Sequence, residues 1–372
     1  MKIFVNKLFF IWKAHTAKRV ANRQFKKISR GLKIKRLSNE QKKEIRAYFR
    51  EKFGIKVSTK WHELAYTISG IYDKRLLPND FYIGYVQPAL VDYRIKIAYD
   101  DKNFYSRLFP WANLPQKKIQ CCNGLYYCER MQKWGNRNEF IHEYQDIDRA
   151  IIKPTLFSNS GRSICFLSVK NGKTNIDDVS VEQIMDRYEP NFLIEEVVKQ
   201  HHDMERLNPS SLNTLRVISY RIDDNVFICQ IICRIGMPGS VCDNFSQGGI
   251  ACHVNSDGTL SRYAYTKYLS QPQEYTSSGI KLDGYLIPGF CEVKDFVKRA
   301  HLSLPQFPLL AWDIAIGEDS KPVLIEFNIH FGNTIALELG LPLLGDYTDQ
   351  LLPIIRNEYE KRLCKSIHIC LG

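Results

Sequence analysis

Residues 309–328 read LLAWDIAIGEDSKPVLIEFN. Two apolar, β-branched runs flank Gly317–Lys321, a string of turn-forming residues, and this pattern is that of a β-hairpin. A turn centred between Asp319 and Ser320 places Asp313 directly opposite Glu326. Side chains alternate along a strand, so Glu326 and Asn328 share one face. Two carboxylates and an amide oxygen then converge on one patch of an otherwise apolar hairpin. Like charges facing each other across a ladder destabilise it unless something cationic lies between them. Hard oxygen donors of this kind suit Mg²⁺, which keeps several waters and takes one or two carboxylates with substrate phosphates. The competing reading makes Asp313 a surface charge near the turn and points Glu326 to solvent. This stretch alone leaves both open.

The rest of the chain narrows the choice. Its 372 residues suffice for two or three lobes with a sizeable core. A 44% apolar and 25% charged composition is that of an ordinary soluble globular protein. Eleven cysteines, odd in number and without CxxC pairs or His partners at zinc-finger spacing, point to reduced thiols in a cytosolic compartment. Charge is unevenly spread. Residues 1–36 hold twelve Lys/Arg and no acidic residue, which equals the whole formal charge of +12. The remainder balances 40 basic against 40 acidic side chains, so the body carries no nucleic-acid footprint.

The first dozen residues mix Ile3, Phe4, Val5, Leu8, Phe9, Phe10, Ile11 and Trp12 with Lys2, Lys7 and Lys13. Lys7 interrupts the apolar run, which is too short to span a bilayer. No small-residue cleavage site follows, so a secretory signal is not expected. A basic, aromatic-rich segment fits a helix lying on an anionic membrane surface. A solvated basic tail, or a helix packed on the body, are the alternatives.

Ser38-Asn39-Glu40-Gln41 is a capping box opening a helix through about Phe53, which Gly54 ends. Residues 60–100 alternate aromatic and polar side chains with Gly and Pro breaks, which predicts a small mixed lobe. Asp101-Lys102-Asn103 precedes a short helical stretch, Phe104–Phe109. Ala150–Pro154 reads as a strand carrying Lys153. The loop Thr155–Ser163 then leads to another strand, Ile164–Val169, and its small hydroxyl residues and glycine can fold backbone N–H groups over phosphate oxygens. It is not a Walker P-loop, since no Gly-Lys-Ser/Thr follows. Phe192–Val198 is a buried strand bearing Glu195 and Glu196. Asn213–Arg221 and Val226–Ile235 are strands around Asp223-Asp224-Asn225, with Arg216 and Arg234 among apolar neighbours. An arginine in an apolar strand is costly unless it meets an anion. A structural ion pair is the plain alternative. Asp243–Gly249 is a turn-rich loop before the strand Ile250–Val254, and helices follow at about Val293–His301 and Asp346–Lys365.

In order, these pieces are Asp-Lys, a strand ending in Lys-Pro, a small-residue loop, an acidic strand, two arginine strands, Asn…Gly-Gly and Asp…Glu-x-Asn. The set resembles the ATP-grasp superfamily over roughly residues 100–330. Asn213-Thr214-Leu215-Arg216, Cys233-Arg234-Ile235-Gly236, Asn244…Gly248-Gly249 and Trp312-Asp313…Glu326-Phe327-Asn328 resemble the peptide-tail glutamate ligases. With Trp61-His62, Asp101-Lys102-Asn103-Phe104-Tyr105 and Asn123-Gly124, the chain is most similar to the sugar-transfer-associated ATP-grasp proteins. The resemblance implies an α+β fold in which two lobes with antiparallel sheets hold ATP between them. It divides the chain into a basic segment (1–37), an N-terminal lobe (38–100), a first lobe (101–198) and a second lobe (199–372) with the metal and phosphate-transfer site. It further implies that Lys102 and Lys153 hold ATP phosphates and that Ser158, Ser160 and Gly161 lie in a loop closing over them. By the same resemblance, Glu195, Glu196, Val197 and Val198 would form the adenine hinge. The resemblance also implies that Asp313, Glu326 and Asn328 bind Mg²⁺, two ions being expected, and that Arg216, Arg234 and Asn244 face the transferred phosphoryl group. Where relatives follow the metal-binding Asn with a small residue and Pro-Gly, this chain has Ile329-His330-Phe331-Gly332.

The implied chemistry is carboxylate activation through an acyl phosphate, then capture by an amine, in bacterial surface-polysaccharide assembly. It would take place in the cytoplasm, with membrane contact through residues 1–36 as a further expectation. A kinase acting on a hydroxyl and a non-catalytic membrane-peripheral scaffold are the alternatives.

Overall fold

The computed structural model describes residues 2–128, 133–143, 145–156, 163–177, 179–240, 243, 245, 248–267 and 271–364. The chain opens with four helical stretches, α1 (Lys2–Ile28), α2 (Asn39–Phe53), α3 (Lys60–Ser69) and α4 (Asn79–Phe81). A π-helical turn at Tyr82–Val86 leads into α5 (Gln87–Leu90), and α6 (Tyr93–Tyr99) and α7 (Tyr105–Leu108) follow. The predicted capping box is present, with Ser38 accepting from Gln41 N–H and the Gln41 side chain returning to Ser38, and Gly54 ends α2 in the left-handed region. Residues 60–100 were expected to be mixed. Among the described residues there they hold helices and no strand. Phe81, Tyr82 and Val86 of this helical run are buried in one core cluster.

A first sheet follows, built from β1 (Lys117–Cys122), β2 (Leu125–Cys128), β3 (Lys133–Gly135), β4 (Ile147–Pro154), β5 (Cys165–Lys170), β6 (Lys173–Thr174) and β7 (Asn191–Glu196). Its order is β3-β2-β1-β7-β4-β5-β6. Helices α8 (Arg137–Glu143) and α9 (Val181–Tyr188) accompany it. Alternation sorts its two faces: Ala150, Ile152 and Ile194 pack with Val181, Ile184 and Met185 of α9, and Ile151, Lys153 and Glu195 point the other way. The strand predicted over Phe192–Val198 stops at Glu196.

After α10 (His202–Leu207), β8 (Thr214–Ile222), β9 (Asn225–Ile235), β10 (Ile250–Val254), β11 (Leu260–Thr266), β12 (Leu309–Ile316) and β13 (Pro322–Asn328) form a second antiparallel sheet. The order is β11-β10-β9-β8-β12-β13. One face packs Leu215, Val217, Trp312, Ile314 and Phe327 against Val293, Val297 and Ala300 of α11 (Phe290–Leu302). The other face is split. Its lower half, Ile218, Tyr220, Leu309 and Ala311, is covered by α2, the 79–90 segment and α13 (Thr348–Cys364), with α12 (Thr334–Glu338) alongside. Its upper half carries the charged residues.

The 309–328 hairpin forms with Asp313 opposite Glu326, as its pattern predicted. The turn sits slightly earlier than expected, with Ala315 paired to Val323 and Ile316 to Pro322. A bulge between Asp313 and Ile314 on the ladder leaves Ile325 as the extra residue and restores the Asp313–Glu326 pair.

Two buried histidines give the fold a pH dependence. His301 lies between Ser219 Oγ (2.7 Å) and the Phe307 carbonyl (2.8 Å), and Trp312 Nε1–H donates to the same Ser219 oxygen at 2.8 Å. Burial pushes the His301 and His62 rings down to about 4. An unfolded chain takes these protons near pH 6.5 and the folded one only near 4, so the unfolded state binds more protons in between. Stability therefore falls as pH drops through that window, by roughly 1.4 kcal/mol per unit for each ring. Urea unfolding at steps from pH 7 to 4.5 should show this loss, and a flat profile contradicts it.

Candidate active site

Register across the second sheet lines up one row of charge. Arg216 in β8 is the cross-strand partner of Asp313 in β12, which is the partner of Glu326 in β13. Arg216 grips Asp313 with both Nε and Nη2, the latter at 2.9 Å. Arg234, two residues along on β9 opposite Thr214, reaches Asp313 at 3.1 Å with one arm and Asp243 at 2.8 Å with the other. Asp243 also accepts from the backbone N–H (3.0 Å) and the hydroxyl of Thr214. The ion-pair reading of the two arginines is thus what the described residues display.

Electrostatics follow from burial and these partners. Burial disfavours the Asp313 carboxylate, but the Arg216 and Arg234 guanidiniums outweigh it and hold this group below the usual carboxylate range. Burial likewise works against charge on Arg234, and Asp243, Asp313 and Glu326 overcome it, raising its already high value. For Asp243 burial is the stronger influence and lifts the carboxyl above its ordinary value despite Arg234 and Thr214.

The opposite wall comes from the first sheet. Lys153 on β4 and Glu195 on β7 form a buried ion pair, and Lys118 meets Glu196 at 3.0 Å. Lys102 sits in a short 3₁₀ turn capped by Asp101, whose carboxylate accepts from Asn103 N–H at 2.9 Å. Its backbone N–H bonds the Thr155 carbonyl at 3.3 Å, and its ammonium lies 3.4 Å from Glu326. Lys102 therefore ties the first sheet to the hairpin of the second. Residues 197–199 continue from β7 without strand pairing. Gln200 then bridges to Gly317, and the His201 N–H bonds the Ile316 carbonyl at 2.8 Å, which fastens the segment to the hairpin turn.

Between the sheets lies a cavity of about 1220 Å³. Its wall includes Lys153, Glu195, Glu196, Val197, Val198, Arg216, Arg234, Asp313, Glu326 and Asn328. Lys102 lies behind that wall, touching it through Glu326. Ser158, Ser160, Gly161 and Asn244 lie outside the described residues. Sequence reasoning passed over Asp243, Thr214 and Lys118. Asp243 opens the turn-rich loop singled out for Asn244, and its carboxylate was the available anion for a buried arginine.

The donor set fits a hard cation. Asp313 and Glu326 offer carboxylate oxygens from adjacent strands, and a carboxylate accepts about four hydrogen bonds, one more than the arginines use on Asp313. Asn328 lies on the same face and brings an amide oxygen to it, while its buried amide nitrogen has no hydrogen-bond partner among the described residues.

An antiparallel pair of sheets enclosing lysines on one side and an Arg–Asp–Glu row on the other defines an ATP-grasp fold. The chain belongs to the sugar-transfer associated ATP-grasp family, whose model matches residues 86–343. No curated protein matches the sequence. Among solved structures it is similar to the L-amino acid ligase from Bacillus licheniformis, at 11% identity and a TM-score of 0.33, covering 63% of this chain and 41% of that one. It is also similar to the ATP-grasp ligase PsnB in complex with a precursor peptide and AMPPNP, at 15% identity and a TM-score of 0.35, covering 72% and 61%. D-alanine–D-alanine ligase from Bacillus anthracis matches at 14% identity and a TM-score of 0.35, covering 71% and 66%. The chain thus spans from under half to about two thirds of the length of these proteins.

Breaking a buried ion pair from one side leaves an uncompensated charge, whereas a partly exposed one costs little. Asp243→Ala should destabilise the protein by about 3 kcal/mol or more in urea unfolding. Glu196→Gln, whose pair with Lys118 is partly exposed on both sides, should stay within about 1 kcal/mol. Equal losses contradict the assignment of Asp243 as the main partner of Arg234.

Proposed function

We propose that the protein is an ATP-dependent carboxylate–amine ligase, joining an amino acid or amine to a sugar acid or related glycan-linked acceptor. One observation carries this reading: the Arg216–Asp313–Glu326 row faces the Lys153–Glu195 pair across a single cavity. At about 1220 Å³ that cavity exceeds the ~300–1,000 Å³ usual for one ligand, leaving room for a nucleotide and a second substrate. The family description, sugar-transfer associated, supports an acceptor of sugar chemistry in surface-polysaccharide assembly. Reliance on ATP supports a reaction on the cytoplasmic side.

In this reading Lys102 and Lys153 bind phosphate oxygens once their carboxylate partners turn to other cations. Glu195, Glu196, Val197 and Val198 seat the adenine, β7 ending at Glu196 just before the last two. Asp313, Glu326 and Asn328 would hold Mg²⁺, which supplies charge neutralisation at the β- and γ-phosphates. Arg216 and Arg234, pinned by Asp313 and Asp243, present fixed cationic N–H donors to the transferred phosphoryl group, so little reorganisation accompanies transfer. A substrate carboxylate oxygen attacks the γ-phosphorus, the bond to the bridging oxygen breaks, and ADP leaves. The amine then attacks the acyl carbon of the acyl phosphate, phosphate departs, and the amine loses a proton to give the amide. No enzyme nucleophile is required, and the chain's contribution is positioning and electrostatics.

Incubation with ATP, Mg²⁺, a panel of uronic and amino acids and hydroxylamine tests this. The expected outcome is ADP with an acid-dependent hydroxamate. Phosphorylated hydroxyl product without hydroxamate identifies a kinase instead, and no ADP with any acid contradicts both.

A further inference from the structure

We propose that the outward face of α1 docks on an anionic lipid bilayer. One stripe of this helix is fixed to the body: Phe10, Ala17, Ala21 and Ile28 are buried, at spacings of seven and four that share a side. Phe10 meets Tyr359 edge-on at 5.2 Å and Phe25 meets Trp61 at 5.4 Å. Gln24 accepts from the buried Asn79, and Asn22 from Lys60. The apolar stripe through Phe10, Ala17, Ala21 and Ile28 is therefore used internally.

What remains outward is cationic. Lys18, Arg19, Arg23, Lys26 and Lys27 are exposed along the helix, Arg30 and Lys33 continue beyond it, and no acidic residue occurs before Glu40. At the start of the same helix Ile11 is 65% and Trp12 58% exposed. The Lys13 ammonium lies 4.7 Å from the Tyr93 ring, which places α6 alongside, and α6 adds the exposed Tyr93 and, one turn on, Ile97. A basic stripe ending in an exposed Trp and isoleucines complements a bilayer with anionic headgroups, the charges meeting the lipid phosphates and the indole entering the interface. A nucleic acid would use the stripe but leave the apolar end without a role. The Tyr93 ring is also 5.7 Å from the ring of His330, a residue of the cavity wall, so the docked face borders the cavity. This inference is independent of which reaction the cavity performs.

The test is co-sedimentation of the full chain with vesicles of mixed phosphatidylglycerol and phosphatidylcholine, with pure phosphatidylcholine vesicles and a single-stranded oligonucleotide in parallel. Binding should be confined to the anionic vesicles, weaken with salt, and bring quenching of tryptophan fluorescence by brominated lipid. The triple variant Lys18→Glu/Arg19→Glu/Arg23→Glu, at exposed positions, should keep its circular dichroism and bind at least about thirtyfold more weakly. Trp12→Phe should retain binding and lose the quenching. No binding to anionic vesicles, undiminished binding by the triple variant, or preference for the oligonucleotide without quenching would each overturn the proposal.

Discussion

The carboxylate of Asp313, buried between two guanidiniums, is the constraint that the second sheet is arranged to satisfy. A charge so enclosed is tolerable only when its partners are held in place. Arg216 must come from the adjacent strand in register, and Arg234 must reach across from the strand beyond, which fixes the sequence of neighbours β9-β8-β12. Asp243 then balances the second arginine, so two carboxylates and two guanidiniums form one connected group. The side chains immediately alternate with this group anchor the strands from below. Trp312 next to Asp313 is fully buried and hydrogen-bonded to Ser219, which also meets His301.

The same face of that sheet serves two purposes, and its division explains the placement of the remaining elements. Ile218, Tyr220, Leu309 and Ala311 are apolar and take helices from both ends of the chain as their cover. The charged upper half cannot be covered in that way without loss of hydration, and it faces the cavity and the first sheet instead. Two ties set the first sheet against it. Residues 200 and 201 are bonded to the hairpin turn, and Lys102 meets Glu326.

Several of these features were legible in the residues. The hairpin and its Asp313–Glu326 pair followed from period-two alternation around a turn-rich string, and arginines within apolar strands announced that anions lay near. The exact turn position was not legible, because a bulge at Ile325 shifts the ladder by one residue at the end of an unbroken apolar run, Pro322–Ile325, whose pattern carries no mark of it. The helical character of residues 60–100 was hidden by Gly70, Pro78, Gly84 and Pro88, the first two of which mark helix boundaries, and by burial all round, which leaves no clear period. Asp243 was obscured by its loop. Its significance arises from strands β8 and β9, whose pairing brings Thr214 and Arg234 together. The packing of α1's stripe on the body was one of the alternatives the residues left open, since a helix that packs and one that inserts share one pattern.

The central claim is that Asp313, Glu326 and Asn328 complete a nucleotide site with a metal ion in the cavity between the sheets. Titration calorimetry with a non-hydrolysable ATP analogue, with and without Mg²⁺, on the wild type and on a Glu326→Ala/Asn328→Ala variant tests it most directly. The account predicts binding that requires Mg²⁺ and that the variant loses while remaining folded. Absence of binding by the wild type, or equal binding by the variant, would contradict it.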